Sequence, residues 1–241
     1  MRELVRFIEP PRTCSYLPRE TESLEIRAIE EMDSFEYGDL LARGYRRFGW
    51  QVFRPACAAC TQCRSLRIVT SEFKPTASER RILRKNAGIR AVLQPLYVTR
   101  EHIELYNRYH EFMRGHRHWP QRITDPQEYA ESFLVSSGTF GFQWLYMDGD
   151  RLVGVSLMDE VPGAISLIYA FYDPDWRPLS PGTFSILNQL QYARERGLRH
   201  AYLGYWVEAC ESLAYKGRFR PREVLREHPD DGVEPVWERL E

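Results

Sequence analysis

The chain has 241 residues, 43% hydrophobic and 13% aromatic, enough to bury one large core or two small ones without covalent staples. Five cysteines, three of them clustered at 57, 60 and 63, are too few for a disulfide framework and odd in number, so a reducing, cytoplasmic setting is expected. The opening M-R-E-L-V-R-F-I-E-P-P carries charges through any signal-peptide core, and no uncharged run reaches 18 residues, so neither export by that route nor a membrane-spanning helix is expected.

In chain order, S-L-E-I-R-A-I-E alternates Leu24, Ile26 and Ala28 as a strand, and a short helix runs from Asp33 to a stop at Gly44. W-Q-V-F-R-P and S-L-R-I-V-T read as strands flanking the cysteine cluster. S-E-R-R-I-L-R-K-N-A-G follows as a basic helix, and I-R-A-V-L-Q as another strand. Residues 43–90 hold twelve Arg and Lys against two acids, while residues 1–42 sum to −5 and residues 91–241 to −6, so a net charge of −1 conceals one basic segment. A solvated face is one reading. The Arg bias, with Tyr45, Phe48, Trp50 and Phe53 interleaved, equally suits contact with a polyanion through Arg46, Arg47, Arg80, Arg81, Arg84 and Lys85.

Thr99 is placed to cap a longer helix whose Ile103, Tyr106, His110 and Met113 form an inward stripe. R-G-H-R-H-W-P, with His116 and His118, suggests a polar loop closing that helix more readily than a metal or acid–base site, because no cysteine or carboxylate stands at ligand spacing. Three strands then form an antiparallel meander: F-G-F-Q-W-L-Y-M, R-L-V-G-V-S-L-M-D and A-I-S-L-I-Y-A-F-Y, joined by D-G-D and E-V-P-G. After a Pro-rich loop comes a helix with Ile186, Leu187, Leu190 and Ala193 inward and Gly197 at its end. The strand H-A-Y-L-G-Y-W, the short helix C-E-S-L-A-Y-K-G-R-F and a last strand R-E-V-L complete the chain.

Meander, helix, strand, helix, strand is the order of the GNAT acyltransferase core. The expected fold is therefore α+β: a GNAT-like core over residues 96–241 and a smaller, basic, Cys-containing α/β domain over residues 1–95. Several motifs sharpen this. C-S-Y-L-P, G-Y-R-R-F-G, F-R-P-x-C-x-x-C-x-x-C-x-x-L-R-I, F-K-P-T-A-S-E-R-R, I-Y-A-F-Y-D-P, S-P-G-T-F-S-I-L, Y-L-G-Y-W-V and Y-K-G-R-F-R-P occur in this order from about residue 14 to residue 222. Together they resemble the aminoacyl-tRNA protein transferase family, most closely the bacterial branch that moves leucine from leucyl-tRNA onto N-terminal Asp or Glu. The resemblance implies an aminoacyl-tRNA donor, protein acceptors and a role in N-degron degradation. Transfer of arginine is the alternative within the family, and a noncatalytic zinc-dependent tRNA-binding protein the alternative outside catalysis.

A CoA-binding loop needs a run of backbone N–H groups before the helix, but R-P-L-S-P-G-T-F offers one glycine with Pro181 beside it. Ser180, Gly182 and Thr183 could instead hold a phosphate or ribose at a tRNA 3′ end, or serve merely as helix turn and cap. The implied reaction is attack of an α-amino group, with pKa near ~8, on an ester, so a modest base and no covalent intermediate is required. Cys210 is accordingly read as a buried thiol. Asp173 is a candidate to orient or deprotonate the ammonium, with a turn-forming Asp-Pro as the alternative. Tyr169, Tyr172 and Tyr205 are candidates to line the cleft, Tyr205 as a phenol donating to the leaving oxygen, with aromatic core as the alternative. Lys216 and Arg218 are candidate partners for the acceptor's acidic side chain.

Cys57, Cys60 and Cys63, with Cys14 as a distant fourth, form a set suited to Zn²⁺ or an iron–sulfur cluster, or else remain reduced thiols. Eukaryotic relatives have a Cys-x-x-Cys near the N-terminus, and Leu17 stands at the second of those positions here. The expected role is a clamp on the N-terminal segment. No cofactor is required by the chemistry.

Overall fold

The computed structural model describes residues 1–135 and 139–240. Its first part is a four-stranded antiparallel sheet ordered β1-β4-β6-β5, from β1 (Arg2–Ile8), β4 (Leu24–Glu31), β5 (Arg46–Phe48) and β6 (Gln51–Pro55). A two-stranded ribbon of β2 (Arg12–Thr13) and β3 (Thr21–Glu22) interrupts it. Helix α1 (Ser34–Ala42) begins in a capping box, Asp33 accepting from the Glu36 N–H while Glu36 accepts from the Asp33 N–H. Gly44, at φ +88°, then turns the chain into β5.

The main sheet has eight strands, ordered β14-β13-β7-β12-β11-β10-β9-β8. They are β7 (Arg64–Val69), β8 (Ile89–Pro95), β9 (Gly141–Asp148), β10 (Arg151–Val161), β11 (Ala164–Tyr172), β12 (His200–Trp206), β13 (Arg222–Leu225) and β14 (Trp237–Leu240). Two strands from the first 95 residues thus belong to this sheet: β7 lies between β12 and β13, and β8 pairs with β9. The expected division at residue 95 runs through continuous hydrogen-bonded sheet.

Helices cover both faces. On one, α2 (Ala77–Lys85) and α5 (Pro181–Glu195) pack on Tyr146, Val153, Trp176 and Leu203, with all four expected α5 residues, Ile186, Leu187, Leu190 and Ala193, buried there. On the other, α3 (Arg100–Arg117) and α4 (Pro126–Phe133) cover Leu145, Val155, Leu157 and Phe171. The strands between them are buried on both sides, which is why β10 and β11 read as near-continuous apolar runs. Replacing a fully enclosed residue such as Leu190 by Ala would cost about 2–5 kcal/mol. The Thr99 cap is present, its side chain accepting from the His102 N–H, and Tyr106, His110 and Met113 are buried. Strands β1, β5 and β14 and helix α4 were not anticipated; they are short, polar or at sheet edges, where apolar periodicity is weak.

Strands β11 and β12 are the parallel neighbours of the sheet, and they pair only over Ala164–Ser166 and His200–Tyr202. Beyond that they part. Both strands are irregular there: the β12–β7 register shifts between Tyr202 and Gly204, with Gly204 at φ +80°, and the β10–β11 register shifts where Leu157 faces Tyr169 and Met158 faces Leu167. Between the parted strands opens the mouth of a cleft. A short helix, α6 (Glu211–Ala214), and the 3₁₀ turn Tyr215–Arg218 close one end of it. Among the described residues, no helix is long and apolar enough to cross a membrane.

Candidate active site

The cleft has a volume of about 1080 Å³ and gathers ten of the residues singled out from sequence: Arg46, Arg47, Tyr169, Tyr172, Ser180, Gly182, Thr183, Tyr205, Lys216 and Arg218. These come from β5, β11, the start of α5, β12 and the turn after α6, segments up to 172 residues apart in the chain. Six cations line it, counting Arg117 and Arg177, against one carboxylate, Glu211, which is already paired with Arg117 at 2.9 Å. One wall is apolar, built from Phe48, Tyr109, Met113, Trp119, Leu167 and Ile168. Arg117, the last residue of α3, and Trp119 come from the His-containing segment, whose sequence carried no sign of facing the cleft. His118 caps α3 in the left-handed conformation, and His116 Nε2 meets Arg177 at 2.9 Å; the expected polar loop is helical through Arg117 and leaves the helix only from His118 on.

At the start of α5, Ser180 is left-handed (φ 60°), makes no side-chain cap, and the first turn contains no acid. The N–H groups of Gly182 and Thr183 therefore keep the positive end of the helix dipole unfilled. A Cβ at Gly182 would meet nothing within 4 Å, so a ligand can approach this backbone closely. Thr183 lies inside the helix and does not act as its cap.

Helix α2 presents Arg80, Arg81, Arg84 and Lys85 to solvent, and none of the four lines the cleft. Its exit residue ties the two together: Asn86 donates to the carbonyl of Leu179 at 2.8 Å and accepts from Trp176 Nε1 at 2.8 Å. The C-terminal end of the basic helix is thereby fixed against the turn that leads into α5.

Three tyrosines differ in what their hydroxyls do. Tyr205 donates into the carbonyls of Phe53 (3.0 Å) and Gly44 (3.2 Å), so its proton points away from the cleft and is not available to a leaving oxygen. Tyr169 shares a hydrogen bond of 3.0 Å with His110 Nε2, and burial lowers His110 to about 4, keeping that imidazole neutral. Tyr172, raised by burial, packs edge-on against Tyr109 with ring centroids 4.9 Å apart and remains at the cleft wall.

Asp173 does not line the cleft. Its buried carboxylate accepts from the Asp175 N–H at 3.0 Å and is held by Arg108 at 2.9 Å and Arg151 at 3.2 Å, so it fixes the turn into the 3₁₀ segment Pro174–Leu179. The sequence-derived role in proton transfer gives way to the turn-forming alternative. Arg47 also has a structural partner: Asp159, fully buried, accepts from its Nε at 2.9 Å and Nη2 at 2.8 Å. A guanidinium so neutralised does not bind a polyanion.

Lys216 stands apart. Its ammonium donates to the carbonyl of Tyr205, at 3.1 Å, and has no carboxylate partner among the described residues. Burial first, and then the positive charge of Arg46, pull its pKa from 10.5 down to about 7. The sequence placed Lys216 here as a cation. Its neutral form depends on depth and on a like charge from a segment 170 residues earlier, for which the sequence carried no signal.

Cys14, Cys57, Cys60 and Cys63 line a separate cavity of about 70 Å³ that shares Tyr16, Phe53 and Tyr205 with the cleft. Among the described residues, no set of three or more His, Cys, Asp or Glu side chains is spaced closely enough to hold a metal ion. Burial, then the charges of the other three sulfurs, raise the Cys63 thiol to about 12, so it stays protonated unless a cation draws off its proton; four sulfurs are the donor type that Zn²⁺ or an iron–sulfur cluster takes. Leu17 N–H donates to Cys14 Sγ at 3.4 Å, as it would to a thiolate ligand. Cys210 is a buried thiol, as expected, 3.2 Å from Ser212 Oγ.

Comparison with known proteins places this geometry. Residues 12–81 and 101–226 match the family models described as "Arginine-tRNA-protein transferase", N terminus and C terminus. The chain is 39% identical over 236 residues to "Aspartate/glutamate leucyltransferase" of Helicobacter hepaticus (98% of each chain covered). It is 37% identical over 230 residues to the protein of the same name from Marinobacter nauticus (94% of this chain, 95% of that one). Among solved structures, L-PGS from Bacillus licheniformis superposes with a TM-score of 0.51 at 13% identity, over 84% of this chain and 61% of that one, a likeness of fold. Both halves of the chain, and the cleft assembled between them, thus identify it as a member of the aminoacyl-tRNA protein transferase family, alongside the aspartate/glutamate leucyltransferases.

Proposed function

We propose that this protein transfers leucine from leucyl-tRNA to the α-amino group of proteins beginning with Asp or Glu, marking them for N-degron degradation in the cytoplasm. The observation that carries the reading is the cleft itself: an apolar wall for a leucyl side chain, a surplus of cations, and an unfilled helix N-terminus beside an exposed basic helix. The tRNA backbone runs along Arg80, Arg81, Arg84 and Lys85, and its terminal ribose and phosphate meet Ser180, Gly182 and Thr183. Leucine lies against Phe48, Tyr109 and Met113.

In the reaction a C–N bond forms, the ester C–O bond breaks, and the proton lost by the attacking amine ends on the ribose oxygen. Lys216, near half-neutral at pH 7, accepts the ammonium proton. Tyr172 supports the departing oxygen, since the Tyr169 and Tyr205 hydroxyls are occupied elsewhere. Arg218, exposed and donating only to the Tyr215 carbonyl at 3.1 Å, guides the acidic acceptor toward the cleft. Purified protein, labelled leucyl-tRNA and an Asp-initiated peptide test this directly. Labelled peptide is expected; transfer from arginyl-tRNA in its place would make the protein an arginyltransferase, and intact tRNA binding without transfer from either would leave a tRNA-binding protein.

The four thiols support a second, structural role, in which Cys14, Cys57, Cys60 and Cys63 hold a metal ion that pins the N-terminal segment against Tyr205. Metal analysis of protein purified without oxygen is expected to give about one equivalent of Zn²⁺ or a cluster's iron; metal-free protein with four titratable thiols would sink this role.

A further inference from the structure

Resting on the leucyl-transfer reading, we infer that Arg46 is the receptor for the side-chain carboxylate of the acceptor's N-terminal Asp or Glu, and so the residue that makes the enzyme acid-specific. Arg46 is only 9% exposed, and its two partners are neutral: the Ser166 hydroxyl at 3.0 Å and the carbonyl of Leu167. Other buried arginines are ion-paired, Arg27 with Glu3, Arg43 with Asp39, Arg47 with Asp159 and Arg54 with Glu25. Arg222 is the exception, and it packs over Trp206 outside the cleft. A buried guanidinium without a counter-ion is costly, and it persists where a ligand supplies the missing charge.

The fold has made room for it. Arg46 fills the gap where β11 and β12 part, its guanidinium against Gly204, where a Cβ would lie 3.1 Å from Arg46 Cζ. Each parted strand offers one carbonyl to one cation: Leu167 to Arg46, Tyr205 to Lys216. Two of Arg46's five N–H donors are thus used, leaving three for a bidentate carboxylate. Lys216, close enough for Arg46's charge to be felt there, faces the neighbouring α-amino group. An N-terminal acidic residue carries both groups a few bonds apart, so one receptor reads both. A tRNA phosphate is the competing anion, but a nucleic-acid backbone meets exposed basic side chains such as Arg81 and Arg84, whereas an Asp or Glu side chain can reach a guanidinium at the floor of a cleft.

Peptides differing only in a first residue of Asp, Asn, Glu or Gln, with leucyl-tRNA as donor, test the inference. Wild-type protein should prefer Asp over Asn by on the order of 10²-fold or more in kcat/KM. Arg46→Gln should cut that ratio at least about tenfold, leave the KM for leucyl-tRNA in place, and melt no lower than wild type because an uncompensated charge is gone. Arg46→Lys, which keeps the charge and loses the fork, should retain part of the ratio with a raised peptide KM. An unchanged Asp:Asn ratio with a raised KM for leucyl-tRNA would assign Arg46 to tRNA and overturn the inference. If the wild type transfers to no peptide, the transfer reading fails, and anisotropy with the same peptides decides separately: equal binding of Asp and Asn peptides overturns the Arg46 assignment, and a preference lost in Arg46→Gln upholds it.

Discussion

Arg46 and Arg47 are neighbours on one three-residue strand, and they face two different environments. Arg47 also borders the cleft, but its guanidinium turns to β10, where the Asp159 carboxylate accepts from both its Nε and its Nη2. Arg46 points to the gap between β11 and β12, where its charge is felt by the like-signed Lys216. The same residue type, one position apart, is structure in one place and an unfilled binding capacity in the other. The difference lies in whether the sheet beyond it is paired or parted.

Experiments on the open side should show the largest effects on activity. Lys216→Met is expected to slow transfer by about 10²–10⁴-fold in single-turnover assays, and wild-type kcat/KM should rise with pH through about 7 as Lys216 loses its proton. A pH profile unchanged in the variant would break the contrast, because Lys216 would then not titrate in the reaction. On the closed side, Asp159→Ala strands a buried guanidinium and should destabilise the fold by about 3–5 kcal/mol in denaturant melts. A loss below about 1 kcal/mol would mean that the seam is wetter than its geometry implies.

The closed interior makes a further pH prediction. Burial lowers His102, His110, His200 and His228 each to about 4, below the ordinary 6.5 of the unfolded chain. The unfolded chain therefore binds more protons between those values, so stability should fall as pH drops from about 6.5 toward 4. His102→Gln should shallow that slope in urea melts; an identical slope would remove His102 from the cause. The smallest effect belongs to the outer surface, where Arg80→Ala with Arg81→Ala should weaken tRNA binding and reduce the slope of log affinity against log salt by roughly 0.7–0.9 for each tRNA phosphate that is no longer neutralised. An unchanged slope would make those arginines a solvated face.

Much of the fold was legible because it is local. The Asp33 and Thr99 caps, the meander and the inward face of α5 follow from capping residues and apolar period, and each stands where the sequence put it. The cleft residues were partly legible for the same reason: Ser180, Gly182, Thr183 and Lys216 sit in motifs whose backbone context shows in the sequence. Asp173 illustrates the limit. An Asp at a strand end before proline looks the same whether its carboxylate faces a cleft or caps a turn, and Arg108 and Arg151 decide between these from other strands and helices. Tyr205 illustrates it again, since its hydroxyl is spent on two carbonyls of the N-terminal part of the chain.

By itself, the sequence determined the longer elements, the family and the clustering of cations, since these rest on spacing along the chain. Tertiary structure alone decided which cations are neutralised. Side-chain alternation sends Arg46 and Arg47 in opposite directions from β5, but only the parting of β11 from β12, where both strands are irregular in register, leaves the Arg46 guanidinium without a carboxylate and open to a ligand.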